Sequence, residues 1–380
     1  MAIQKWLILD TANNVYVDNL EIKEGNATVV KRRLSGGLKD GVDVVEVNNG
    51  VLAFTVLLTR GMGIWRGKCG DIDLKWDSPM SGPVHPQFVP NTEPSGLGWL
   101  YGFDEWLVRC GLENNGSPQF DAQGRLEYPL HGRVSNIPAS RAEISFDPDT
   151  QEFTIEGVVY ESRLFSRKLE LKTTYKTRIG NPSFSCQDVV TNLSAEQGSM
   201  QLLYHINTGQ PFAGPGARVV VPYEKMAPRT PTAQVNLPSW NIMDPETPGS
   251  GEVVIFFDPV ADQNGNTEVL LMNPTESQGI LLKFNKKQLP YLSLWKTRLS
   301  NNDGYATGIE PAVNFPNERR FEESKGRVVP LAPGESKVFD LDFVFLQSGS
   351  EVAGAEKQIQ QLQAKVAGQT VDPAAAGWGP

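Results

Sequence analysis

Only three histidines occur in the 380 residues, and two of them sit in short polar motifs on strand-like surroundings. These are Leu130-His131-Gly132-Arg133 and Tyr204-His205-Ile206-Asn207; further along stands Gly308-Ile309-Glu310-Pro311. An imidazole gives and takes a proton near neutral pH, and a carboxylate supplies the complementary partner, so a histidine–glutamate set can do general acid and base work. His205 lies in a run that reads as a strand, which puts Leu203, His205 and Asn207 on one face. Pro311 restricts Glu310 to extended backbone. Each residue also has an inert alternative: a lone strand histidine is more often structural than catalytic, and Glu310 is one of 44 acids. The third histidine, His85, is stiffened by Pro83 and Pro86 and can present its ring at the rim of a cleft.

The elements that must position these residues are strands. Val42 to Val47, Asn48-Asn49-Gly50 and Val51 to Leu58 predict a hairpin turning at Asn49-Gly50. Glu152 to Glu161 and Lys168 to Lys176 alternate with period two, as half-buried antiparallel strands do. Similar runs follow from Phe184, Val253, Glu268, Gly279, Gln288 and Val338, and 36 Gly with 27 Pro punctuate the chain. The pattern predicts an all-β fold, a large antiparallel β-sandwich or barrel. Residues 60–140 read as long loops laid across one sheet. Ala355, Ile359, Leu362 and Val366 have helical spacing, so residues 1–348 form one β domain and 349–380 a short C-terminal helix with a poorly ordered tail.

Composition narrows the partners. The net charge of -9 with no basic block argues against nucleic acid and against an anionic membrane. No run approaches the ~20 apolar residues needed to span a bilayer, and the N-terminal segment reaches Asp10 too early for a secretory leader. Cys69, Cys110 and Cys186 form no CxxC, which favours a reducing cytosol. Phosphate-cradling glycine loops, nucleophile elbows and metal-ligand spacings are missing, so neither cofactor nor metal is expected. Four of the eight tryptophans (Trp65, Trp76, Trp99, Trp106) fall in the loop-rich stretch, and Trp295 precedes Glu310. Aromatic faces with polar neighbours suit a sugar.

Taken in order, Leu130-His131-Gly132-Arg133, Tyr204-His205-Ile206-Asn207 with Gly209 and Pro211, and Leu289-Pro290-Tyr291-Leu292-Ser293-Leu294-Trp295 through Glu310-Pro311 resemble the motifs of the aldose 1-epimerase (galactose mutarotase) superfamily. The likeness runs from about residue 30 to 348, with Arg60-Gly61-Met62-Gly63 and Val108-Arg109-Cys110-Gly111 suggesting a subfamily. The resemblance implies a large twisted β-sandwich with its site in a cleft on one sheet. It implies that Glu310 is the base taking the anomeric hydroxyl proton and His205 the acid protonating the ring oxygen. His131, Arg109, Arg60, His85, Asn207 and Trp295 are then the substrate-binding candidates, with Asp258 in place of the family's binding aspartate. The departures are Tyr204 where an asparagine is usual and Trp295 where a tyrosine is. A cytosolic monomer or homodimer isomerising a free or modified monosaccharide is the expectation. A non-catalytic sugar-binding protein and a lyase or hydrolase on the same fold are the alternatives.

Overall fold

The computed structural model describes residues 2–379. Two large sheets, of 10 and 14 strands, form a sandwich in which sequential strands pair antiparallel. The core between them draws Ile144, Phe153 and Tyr175 from the smaller sheet and Val45, Phe54, Leu112 and Ile206 from the larger. The predicted hairpin joins Asp43–Asn48 to Leu52–Leu57, turning through Gly50 at φ 98°, a conformation that costs a glycine little.

Burial along the strands shows where the site must be. Glu152–Ser162 and Lys168–Arg178 alternate between buried and partly exposed positions, one face on the core and one toward water. Three neighbouring strands of the larger sheet, Ala306–Ala312, Gly198–Gly209 and Leu107–Leu112, are instead buried along nearly their whole length. Their outer faces, at Val108, Cys110, Leu203, Ala306 and Ala312, are covered by Trp76, Trp99, Phe103 and Leu130.

Such strands lack period-two alternation, which explains one departure from expectation. Residues 60–140, expected to be loops, contain the strands Gly63–Cys69 and Leu107–Leu112. Glu310 is in extended backbone as expected, inside the strand Ala306–Ala312 with a proline beside it. Pairing with the central strand is recorded at Leu203–Ala312 and Ile206–Ile309 but not between them. That gap falls where Pro311 has no N–H to give.

The C-terminal helix spans Gly349–Gln363, starting at an N-cap hydroxyl of Ser348 and ending before Val366. Val352, Ala355 and Ile359, spaced along one face, pack on Leu270, Leu281 and Leu346. The tail departs from the expected disorder. Gln369–Thr370 pairs parallel with Tyr223–Pro228, and Trp378 packs against Phe256 and Phe315. One buried indole anchors a segment whose alanines and glycines suggested none. Among the described residues no helix is long and apolar enough to cross a membrane.

Candidate active site

Strand register assembles the centre. Ile206 pairs with Ile309 and Asn207 with Gly308, so His205 stands beside Glu310 across the ladder. On the other side Glu310 pairs with Ser293 and Gly308 with Trp295. His205, Asn207, Ser293, Trp295 and Glu310 point to the outer face of the larger sheet, while Tyr204, Ile206 and Ile309 point into the sandwich core. His205 Nε2 lies 3.1 Å from Glu310 Oε1, with both side chains about 5% exposed or less.

Hydrogen bonds decide which nitrogen of His205 carries the proton. Asn207 uses its amide N–H groups on the carbonyls of Glu105 (3.0 Å) and His205 (3.3 Å), so its Oδ1 must accept from His205 Nδ1. Nε2 is therefore a bare lone pair facing Glu310. Burial pushes His205 down to about 3, helped by His131. Burial, with the negative charge of Glu252, raises the Glu310 carboxyl well above the usual carboxylate range. Where the pair holds one proton, that proton rests on Glu310, facing Nε2. As an unprotonated carboxylate, Glu310 Oε1 would have no donor at all. Desolvation explains both directions, since each shift favours the uncharged form.

His131 adopts a positive φ of 55° before Gly132, and its Nδ1 donates to the Asn115 carbonyl at 2.8 Å. That bond leaves its Nε2 as an acceptor too. Burial lowers His131 to about 4, and its ring stands 5.6 Å from that of His205. The two histidines contribute stability that is whole above the ordinary imidazole value and lost as pH falls through about 4 and about 3, because the unfolded chain binds the extra protons. Glu310 works oppositely, its share fading as pH rises through its raised value. Unfolding midpoints in urea should therefore drop more between pH 7 and pH 5 for the wild type than for a His131→Gln/His205→Gln variant. Equal drops would contradict these assignments.

Around this centre lies a cleft of about 700 Å³ walled by Trp76, Trp99, Phe103 and Trp295, with Glu252 and Arg229 farther along. Phe103 and Trp295 meet the His205 ring at 5.0 and 5.4 Å, and Trp99 meets that of His131 at 4.6 Å. The Trp295 indole donates to Glu252 at 2.9 Å. Apolar walls with a few polar groups on the floor are what a pyranose requires, its C–H face on the rings and its hydroxyls on the acceptors.

Residues 39–344 match the model of a family described as a domain of unknown function (DUF4432). The crystal structure of a candidate aldose 1-epimerase from Klebsiella pneumoniae superposes with a TM-score of 0.94 at 31% identity, covering 98% of both chains. The chain belongs to this family, within the galactose mutarotase-like superfamily. A galactose mutarotase-like protein from Clostridium acetobutylicum shares the fold (TM-score 0.56, 16% identity, 81% of this chain and 96% of that one). So does a candidate aldose 1-epimerase from Escherichia coli K12 (0.52, 16%, 81% and 100%). No curated protein matches.

Not every residue nominated from the sequence reaches the mutarotase-like cleft. His131, His205, Glu310 and Trp295 line it, and Asn207 supports His205 from behind. Arg109 does not line it. It faces the sandwich core, where Asp188 binds its guanidinium at 2.5 and 3.0 Å and the Met62 carbonyl accepts at 2.9 Å. Arg60 is also buried, bound to Glu105 (2.7 Å) and the carbonyls of Val84 and Gly102. It acts at one remove, fixing the segment whose Glu105 carbonyl holds Asn207 and the Trp76 indole. His85 packs beside Gly41 and accepts from the Gln87 amide, away from the cleft. Asp258 pairs with Lys286 at 2.5 Å. Glu252, Asp303 and Arg229, unmarked by any motif, are the charged cleft residues that spacing alone did not reveal. Trp76 and Trp99 line the cleft, whereas Trp106 is in the main core and Trp65 in a small separate one.

Proposed function

We propose that the protein interconverts the anomers of an aldose, with Glu310 and His205 as one proton-sharing acid–base pair. The observation that carries this is the 3.1 Å contact between His205 Nε2 and Glu310 Oε1 on the floor of an aromatic cleft. The anomeric hydroxyl and the ring oxygen are bonded to the same carbon, so a base and an acid side by side can serve both at once. Moving the shared proton from Glu310 to Nε2 sets up a carboxylate and an imidazolium. The anomeric O–H then gives its proton to Glu310, the bond from C1 to the ring oxygen breaks, and that oxygen takes the proton from Nε2. The aldehyde forms, and the pair is back in its uncharged state. Rotation about the C1–C2 bond and the reverse transfers close the other anomer. His131 Nε2 accepts from a sugar hydroxyl and fixes the ring. No step here calls for a redox change.

The test is the rate at which the α-anomers of glucose, galactose, glucuronate and glucose 6-phosphate equilibrate, followed by polarimetry. Acceleration of at least one sugar is expected, and no acceleration across the panel would sink the proposal.

Gly308 offers an independent check. A Cβ there would stand 2.8 Å from His205 Cε1 and 3.0 Å from Glu310 Oε1, so Gly308→Ala must separate the pair. Because reacting groups tolerate little misplacement, kcat should fall on the order of 10²-fold. Unchanged kcat in a folded variant would show that the pair's spacing is not used.

A further inference from the structure

The cleft holds a single arginine or lysine among its described lining residues, and it is Arg229. Its backbone N–H bonds to the Val254 carbonyl at 2.7 Å, continuing the ladder in which Val254 pairs with Trp295 and Trp295 with Gly308. Gly308, Trp295, Val254 and Arg229 thus form one transverse row, starting next to Glu310. Three strand spacings separate its ends, about 14 Å between backbones, and the long arginine side chain shortens the remaining gap toward the size of one pyranose with a substituent.

The guanidinium is half-buried. Its Nε donates to Asn317 Oδ1 at 3.3 Å, toward the Ser117–Pro316 end of the cleft, and among the described residues no ion pair or bond engages its terminal nitrogens. The docked tail keeps it there. Trp378 O accepts from Asn317 Nδ2 at 2.8 Å, and Gly379 packs so closely on the arginine stem that a Cβ would come within 3.3 Å of Cδ. The acids of the cleft are occupied elsewhere: Glu252 by the Trp295 indole (2.9 Å) and Asp303 by the Ser300 hydroxyl (2.5 Å). A positioned guanidinium in an apolar-walled cleft, its terminal nitrogens unengaged among the described residues, is a fork for an oxyanion.

We infer that the aldose bound in this cleft carries one anionic substituent, carboxylate or phosphate, held by Arg229. This rests on the cleft being the sugar site proposed above, but it concerns binding, which is measured apart from turnover. Quenching of cleft tryptophan fluorescence by glucose, glucuronate and glucose 6-phosphate is the test. At least one anionic sugar should bind the wild type about 10- to 100-fold more tightly than glucose, as one charge-assisted contact provides. Which one binds identifies the anion. Arg229→Gln should abolish the preference, read as the ratio of anionic-sugar to glucose affinity, and added salt should shrink the preference in the wild type. Should Arg229→Gln not fold, Arg229→Lys, which lacks the planar fork, should lose affinity for the anionic sugar several-fold. Equal binding of neutral and anionic sugars, no binding of either anionic sugar, or a preference that survives loss of the arginine would overturn the inference. A bound anionic sugar whose anomers exchange no faster than in buffer leaves it standing and removes the acid–base proposal instead.

Discussion

Glu310→Gln is expected to lower kcat for anomer exchange by about 10²- to 10⁴-fold, the usual worth of a positioned acid or base. The protein should remain folded with its melting temperature little changed. The glutamine amide keeps the shape and can still donate toward His205 Nε2, as the protonated carboxyl does, so no buried group is orphaned. What it cannot do is accept the anomeric proton. Sugar binding, read by tryptophan fluorescence, should survive. In the wild type the alkaline limb of kcat/KM should report loss of the proton the pair shares, because burial and Glu252 raise Glu310 well above the ordinary carboxylate range. A variant that exchanges anomers at the wild-type rate would remove Glu310 from the chemistry.

The largest effect on stability belongs to Arg109. Asp188 lies wholly inside the sandwich and takes Arg109 at two points, the Thr173 hydroxyl at 2.7 Å and the Tyr204 hydroxyl at 2.8 Å. Arg109→Met leaves that carboxylate without its counter-charge and the Met62 carbonyl short of one donor, its other being the Tyr175 hydroxyl at 2.6 Å. Breaking a buried pair by removing one partner costs about 3–5 kcal/mol, to be read from urea unfolding. The network also explains why Tyr204 precedes His205: its hydroxyl belongs to the Asp188 cluster on the core face. A loss below about 1 kcal/mol, the range of an exposed pair, would show that the network is not structural.

Much of this was legible in the sequence, for a physical reason. Strands with one wet face print their period on the chain, so Glu152–Ser162, Lys168–Arg178 and the Asn49-Gly50 hairpin could be read directly. The strands under the cleft could not, because Leu107–Leu112 and Ala306–Ala312 are covered on both faces and Pro311 masks the second. Candidate site residues were legible where chemistry is rare: three histidines drew attention to His131 and His205, and the motif order to Glu310. Arginines and acids are common, so nothing local told Arg109, committed to the core, from Arg229, aimed into the cleft. Only register separates them, since Arg109 pairs with Tyr204 on the core side and Arg229 continues the row of Trp295. The tail escaped for a similar reason, its order depending on one tryptophan that meets Phe315 at 5.0 Å.

The most direct measurement is one NMR series of anomer exchange, using saturation transfer between α and β resonances, on the wild type, Glu310→Gln, His205→Gln and the double variant. Two groups that share one proton act as a unit, so their losses should not add. The account predicts clear acceleration over buffer by the wild type, near-complete loss in each single variant, and no further loss in the double. Wild-type exchange equal to buffer, or a double variant whose loss is the product of the two single losses, would contradict it.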